Sequence, residues 1–273
     1  MATSIVRSSS FQWAVGGWSF FIVENLVLSE NRGFLIEKLG DDGYHAAYGT
    51  LSTAAMASVA YAYFTKLGAG PMLWVGKPPL SHKIAALSLL TLGLGMASQT
   101  LPKFQVPVAI VPTSTTQIDP TAGPTTSKSP MSFKVRCPFD FTDKPSDDGA
   151  IHGLERISRH PGLWSMGLIG FGHSFLVPNV PKKAWLCMPL LVAMIGGGHT
   201  DSRHRRGMGG VLMSERDRLT SNIPFAAMLQ NGGWGELANE CKLLNAAISA
   251  GVAGVWVWHT GRVPKAVIMA SRR

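Results

Sequence analysis

Charged residues are scarce in this chain: they make up 15% of its 273 residues, against roughly 25% in an average soluble domain. The shortage is uneven, because charges are nearly absent from several runs of roughly 15 to 20 residues, about the length that spans a bilayer as a helix. A soluble surface is therefore hard to build from this composition. The pattern predicts an integral membrane protein of the all-α class, a helical bundle with about six transmembrane helices and a long irregular loop.

Cysteine and acidic residues are also rare. Cys137, Cys187 and Cys241 are odd in number and show no CxxC spacing, which argues against a disulfide framework and a thiolate metal site. Acids number 16 against 25 lysines and arginines, for a net charge of +9. Without a nucleic-acid motif, this basic excess is expected to meet anionic lipid headgroups, and no nucleic-acid partner is predicted.

Six apolar runs are the predicted spans. Helices are expected because a lipid-embedded backbone must satisfy its own hydrogen bonds. Three spans lie in an N-terminal part, residues 1–101, and three in a C-terminal part, residues 151–273. The predicted spans are residues 11–28, 46–64, 84–101, 162–177, 184–198 and 243–259.

The two parts are separated by residues 102–150, which are rich in Pro, Thr and Ser. This composition predicts an exposed, mostly irregular loop, and its length suggests that it lies along the bundle or contacts a partner. Residues 1–10 contain Arg7, several serines and no acid. Such a head is typical of organellar targeting, so a mitochondrial or plastid membrane is predicted.

The strongest local signal is a series of polar motifs in residues 153–227. It resembles the NnrU family of membrane proteins and, within it, the 15-cis-zeta-carotene isomerases. The segments 37–44 and 79–84 match that family more weakly. The series consists of Arg159-His160-Pro161, Gly172-His173-Ser174, His199-x-Asp201-x-Arg203 and a final stretch from Glu215-Arg216 to Ile223-Pro224-Phe225-Ala226-Ala227.

The resemblance implies a heme b held by two axial histidines, whose reduced iron isomerises a cis double bond of a carotenoid. One ligand position falls on His173 and the other on Glu24. A carboxylate is not among the usual ligands of heme iron. The family's cofactor is therefore expected either at these two positions or, in a degenerate member, not at all.

Physical chemistry singles out the same two residues. His173 lies twelve residues past Pro161, about 18 Å along a helix, and a histidine deep in a membrane is a functional candidate by default. The alternative is a hydrogen bond to a neighbouring helix. Glu24 is expected to protonate, to pair with an arginine such as Arg159, or to extend towards the interface, and a structural pair or an interfacial position is favoured over a metal role.

The remaining candidates are polar residues at predicted helix ends. Arg159 is expected to hold a carboxylate or a lipid phosphate, and His160 to anchor this boundary, with a catalytic role as the alternative. His199, Asp201 and Arg203 are predicted to form a charged interfacial cluster, although a His-x-Asp pair can also orient an imidazole. His45 and His82 are expected in loops or helix caps.

Two functions follow from these observations. The first is a non-catalytic NnrU-type protein that serves as an accessory or structural subunit of an organellar membrane complex, respiratory or photosynthetic. The second is a heme-dependent isomerase acting on a carotenoid. The expected partners are the lipid bilayer and other subunits of the complex, or a carotenoid for the enzyme.

Overall fold

A computed structural model describes residues 6–68, 70–100, 108–112, 131–135 and 150–260, and helices dominate it. The predicted helical class is confirmed for these residues. The helices are α1 Ser9–Glu30, α2 Arg32–Tyr61 with a π-helical continuation Ala62–Lys66, α3 Leu80–Thr100, α4 Leu154–Ile157, α5 Pro161–Ser174, α6 Val180–Arg205, α7 Ser214–Leu219, α8 Ala226–Asn231, α9 Trp234–Glu240 and α10 Leu243–Thr260.

Most of the predicted irregular loop, residues 102–150, lies outside the described residues. Within it the structure describes two short strands, β1 Val108–Pro112 and β2 Met131–Val135, which pair antiparallel. The prediction of an irregular loop did not include this pair.

Local sequence explains where the long helices begin. The Ser8 side chain accepts a hydrogen bond from the Phe11 amide at 3.3 Å at the start of α1, and Asn179 accepts from the Lys182 amide at 2.9 Å at the start of α6. Pro161 occupies the first turn of α5. Capping oxygens and an N-terminal proline satisfy or replace amides that have no partner inside the helix.

Helix α2 is longer than predicted and corrects one residue assignment. It extends from Arg32 through a break at Gly40, whose φ of 75° and ψ of 166° are not helical. His45 therefore lies inside a helix and is buried, 7% exposed, and not in a loop. The helix resumes directly after Gly40.

The long helices pack in a chain of neighbours. From one side to the other the order is α2, α1, α6, α5, α3 and α10. Two glycines allow α5 to approach both of its neighbours closely. A Cβ at Gly170 would lie 2.6 Å from the Leu186 carbonyl oxygen of α6, and one at Gly172 would lie 3.1 Å from the Leu90 amide of α3. Small residues in such contacts are common between helices in membranes.

Helix α3 is long and apolar enough to cross a membrane, and α9 with α10, bent by 84° between them, qualifies as a pair. The other predicted spans do not qualify among the described residues. Helix α5 has only 14 residues, about 21 Å of helix, whereas the hydrocarbon core is about 30 Å thick. Membrane association is thus supported in part, and six spans remain a prediction.

Candidate functional site

Three residues singled out from the sequence meet where α5 begins and α6 ends. Arg159 Nη2 donates to Asp201 Oδ2 at 2.7 Å, and His160 Nε2 lies 2.9 Å from Asp201 Oδ1. His160 is 2% exposed and Asp201 3%. Together with Asp217 and Thr220, described next, they form what we call the Arg159 cluster.

A second carboxylate completes the cluster from α7. Arg159 Nη1 donates to Asp217 Oδ1 at 2.8 Å and to the Thr220 carbonyl oxygen at 3.1 Å. Arg205, at the end of α6, binds Asp217 through Nε at 2.6 Å and Nη2 at 2.8 Å. One guanidinium thus joins three segments of the chain.

The segment around Asn222 holds the cluster in place. Ser158 Oγ donates to the Asn222 carbonyl oxygen at 2.6 Å, and Trp164 Nε1 donates to Asn222 Oδ1 at 3.0 Å. Asn222 Nδ2 in turn donates to the Met194 carbonyl oxygen of α6 at 3.0 Å. The side-chain amide of Asn222 therefore links the Trp164 side chain of α5 to the backbone of α6.

The positive and negative charges in and around the cluster are close to balanced. Burial alone would raise the pKa of Asp201, but hydrogen bonds from His160 and Arg159 outweigh it, so this pKa lies below its usual value. A hydrogen bond from Arg205 lowers the pKa of Asp217. Both carboxylates are charged at neutral pH and both have cationic partners, which is what allows them to be buried or half-buried.

The cluster offers one chemical capability, an imidazole oriented by a carboxylate. The Nδ1 atom of His160 is buried without a hydrogen-bond partner within the described part of the chain. No group of three or more His, Cys, Asp or Glu side chains among the described residues could hold a metal ion. The geometry favours an anchoring role for His160 because its polar edge faces the ion pairs.

His199 does not pair with Asp201. Its Nε2 lies 2.7 Å from Ser29 Oγ at the end of α1, and its Nδ1 lies 4.0 Å from Glu30 Oε2. The His-x-Asp alternative is therefore wrong for these two residues, because positions i and i+2 of a helix face different directions. In the structure the histidine that pairs with Asp201 is His160.

Arg203 lies on the side of α6 that faces Glu30, as His199 does, because a hydrogen bond from Arg206 and the charges of His199 and Arg203 all lower the pKa of Glu30. Arg203 is buried, 4% exposed, and its Nε has no hydrogen-bond partner among the described residues. Its neighbour Arg206 binds Glu30 through two bonds, of 2.6 and 2.9 Å. The predicted charged cluster of His199, Asp201 and Arg203 thus divides between two sides of α6.

Glu24 is buried and hydrogen-bonded. Its Oε1 accepts from Asn25 Nδ2 at 2.5 Å and from Ser52 Oγ of α2 at 3.0 Å, and Tyr48 donates to Asn25 Oδ1 at 2.5 Å. The side chain neither reaches an interface nor meets Arg159. The structure thus replaces the expected arginine pair with a contact to uncharged polar side chains, because α2 lies directly against this part of α1, and Oε2 of Glu24 is buried without a hydrogen-bond partner among the described residues.

His173 lies in an aromatic setting near the end of α5. It is half-buried, and its ring meets that of Trp256 on α10 edge to face at 5.2 Å. No hydrogen bond of this side chain is found within the described residues. Its ring lies between α5 and α10, and no second ligand is found beside it among the described residues; its depth in a membrane stays a prediction.

Glu24 and His173 are at different levels of the bundle. The contacts Trp18–Trp185 and Ser29–His199 show that α1 and α6 run parallel, so Glu24 lies level with the second half of α6. Lys183 Nζ donates to the Ser174 carbonyl oxygen at 2.7 Å, which places His173 beside the first turns of α6. These contacts place Glu24 about ten residues beyond Lys183 along α6, roughly 15 Å at 1.5 Å per residue. A carboxylate is not among the usual ligands of heme iron, so Glu24 and His173 do not form the pair of imidazole ligands that a bis-histidine heme needs.

Sequence reasoning missed the polar face of α2. Tyr44, Tyr48 and Ser52 follow one another at spacings of four and all face α1, where Tyr44 donates to the Leu28 carbonyl oxygen at 3.3 Å. That helical spacing was the signal that could have revealed them. The ion pairs of Arg156 with Glu240 and of Arg216 with Glu155 carried no comparable signal.

The comparison with known families agrees with the motif resemblance. The sequence model of the family described as NnrU protein matches residues 14–261. The chain belongs to the NnrU family. No curated protein and no solved structure matches it.

Proposed function

We propose that this NnrU-family chain is a multi-pass membrane protein without catalytic activity of its own, acting as an accessory or structural subunit of an organellar membrane complex. The observation that carries the proposal is the state of Glu24. This side chain occupies a position where the resemblance implies a heme ligand, yet its Oε1 is hydrogen-bonded to Asn25 and Ser52 inside the α1–α2 contact.

The Arg159 cluster supports the same proposal. Its cations and carboxylates are paired with one another, and it ties α5, α6 and α7 together. A paired ionic network of this kind fixes the arrangement of helices more readily than it performs a reaction. The motifs that carry the family resemblance thus contribute to the fold.

The outer face of α10 supports a subunit or lipid partner. Leu244, Ile248, Val252 and Val255 are all exposed on it, by 47% to 72%. A contiguous apolar stripe of this kind marks a surface that meets lipid or another protein.

The alternative is the heme-dependent isomerase acting on a carotenoid. His173 favours it, because a half-buried imidazole without a hydrogen bond among the described residues is available as a ligand. Glu24 opposes it, since it supplies no imidazole and lies at another level of the bundle.

An absorption spectrum of the purified full chain, supplied with heme, tests the proposal. The wild-type protein should show no stoichiometric Soret band, and Glu24→His should gain none, because Ser52 of α2 contacts Glu24 directly and Tyr48 of α2 contacts its neighbour Asn25. His173→Ala is the matched control, because it removes the imidazole that could bind heme iron as the only axial ligand.

Three outcomes contradict the proposal. A low-spin spectrum of the wild-type protein would restore the isomerase to first place. A wild-type Soret band that disappears in His173→Ala would assign the ligand to that residue. A gain of low-spin heme in Glu24→His would show that a cavity for the ring persists.

A further inference from the structure

An apolar cavity of about 260 Å³ lies between the second half of α3 and the bend that joins α9 to α10. Most of its wall is hydrocarbon, contributed by Leu92, Met96, Ile157, Phe225 and Leu237. A dry cavity of about 150 Å³ takes up benzene, so this one can hold roughly ten carbon atoms of an uncharged chain. The cavity is open on one side, and neither Glu24 nor His173 lines it, so the site is separate from the alternative function.

A polar cleft of about 230 Å³ lies on the other side of one ion pair. Arg156 lines the cleft, Glu240 lines the apolar cavity, and the guanidinium donates to the carboxylate twice, both times at 2.9 Å. Glu236 and Asn231 also line the cleft. A hydrocarbon cavity and a polar cleft that flank one ion pair match the two halves of an amphiphile.

We propose that this site binds a monoacyl lipid with a zwitterionic headgroup, its acyl chain beside Met96 and its headgroup beside Arg156. The charge of the cleft favours such a headgroup. Arg156 and Glu240 neutralise each other, but Nη1 of Arg156 takes no part in that pair and can donate to a phosphate. The carboxylate of Glu236 complements the ammonium of phosphocholine and leaves the site with one net negative charge, which disfavours the lone carboxylate of a fatty acid.

A larger side chain at position 95, now Gly95, would fill the cavity. Gly95 lines the cavity, and a Cβ at this position would meet nothing closer than Ser249 Oγ at 3.9 Å. A leucine side chain can therefore extend into the empty space without displacing backbone. Gly251 on α10 is the matched control, because it is exposed and an added Cβ would meet nothing within 4 Å.

Photolabelling of the full chain in phospholipid nanodiscs tests the site. The probe is lysophosphatidylcholine with a diazirine near the end of its acyl chain, and labelled peptides are identified by mass spectrometry. We expect label on residues 92–99 or 154–157, at least fivefold reduced in Gly95→Leu and unchanged in Gly251→Leu. Equal labelling in Gly95→Leu, or label confined to the exposed face of α10, would overturn the proposal.

A second measurement uses the wild-type protein, so its result does not depend on whether the leucine variant folds. Cys241 lines the cavity and is exposed, so lysophosphatidylcholine should slow its alkylation by N-ethylmaleimide at least threefold. Cys187, half-buried on α6, serves as the internal reference. No protection of Cys241 would overturn the site, and equal protection by lauric acid would overturn the zwitterionic headgroup.

Discussion

At the scale of single residues, Arg159 and Asp201 show how one buried ion pair can determine the ends of three helices. Asp201 accepts from both Arg159 and His160 while almost completely enclosed. Removing Asp201 would leave Arg159 with Asp217 as its only carboxylate among the described residues and would take away the acceptor of His160, and buried groups that lose a charged partner are costly. The stability of this end of the bundle should therefore depend on Asp201.

Asp201→Asn should lower the free energy of unfolding by about 1 to 3 kcal/mol, because Arg159 and His160 lose a charged acceptor while Arg159 keeps its pair with Asp217. The measurement is denaturant titration of the full chain in detergent, followed by tryptophan fluorescence. Arg206→Gln is the control, since its pair with Glu30 is exposed and exposed pairs contribute little. Equal losses in the two variants would show that burial is not the cause.

The pH dependence of stability should follow from the same carboxylates. The pKa values of Asp201 and Asp217 are lowered in the folded chain, whereas an unfolded Asp titrates near about 3.9. Their contribution is therefore complete above about pH 4 and is lost as pH falls through the lower folded values. Denaturant midpoints measured from pH 6 to pH 3 should fall less steeply for Asp201→Asn than for the wild-type protein.

At the scale of helices, close approach decides which glycines are essential. Gly197 of α6 faces the Arg159 cluster, where an added Cβ would lie 2.9 Å from His160 Cδ2 and closer still to the Asn222 amide. Its neighbour Gly198 has only an ordinary contact, 3.7 Å from Asn222 Nδ2. The two adjacent glycines therefore differ sharply in what a methyl group would displace.

Gly197→Ala should destabilise the chain by about 1 to 3 kcal/mol, because overpacking forces side chains and backbone to shift. Gly198→Ala should be neutral or slightly stabilising, because alanine favours the helix over glycine. Thermal unfolding in detergent, monitored by circular dichroism, distinguishes the two. A larger loss for Gly198→Ala would contradict the close contact of Gly197 with His160 and Asn222.

Sequence patterns predicted the helices better than their partners. The motif residues Arg159, His160 and Asp201 were recognised, and Arg159 was expected to hold a carboxylate. Asp201 was considered as a partner of His199 because the two are close in sequence, whereas its partner lies 41 residues away on another helix. Pairing across helices depends on how they pack, which periodicity within one helix does not encode.

At the scale of the whole molecule, the composition and the individual helices differ in what they predict about the membrane. Charges are only 15% of the chain, yet α3 alone among the single described helices passes the length and hydropathy criteria for a span. Short helices and buried ion pairs explain the difference, since α5 is 14 residues long and α6 carries His199 to Arg205 in its last two turns. Such elements reach lipid depth only when other helices surround them.

The full chain should therefore stay with membranes as a unit. Washing membranes with alkaline carbonate, which strips peripheral proteins, should leave it in the pellet, while a mild detergent should release it. We expect this because the outer face of α10 is apolar and exposed and α3 is long and apolar enough to cross a membrane. Immunoblotting of pellet and supernatant measures the partition. An Arg206→Gln variant should partition identically, since it changes an exposed ion pair and no apolar surface. Release of the wild-type chain by carbonate would contradict the multi-pass arrangement and would assign the apolar face of α10 to contact with another protein.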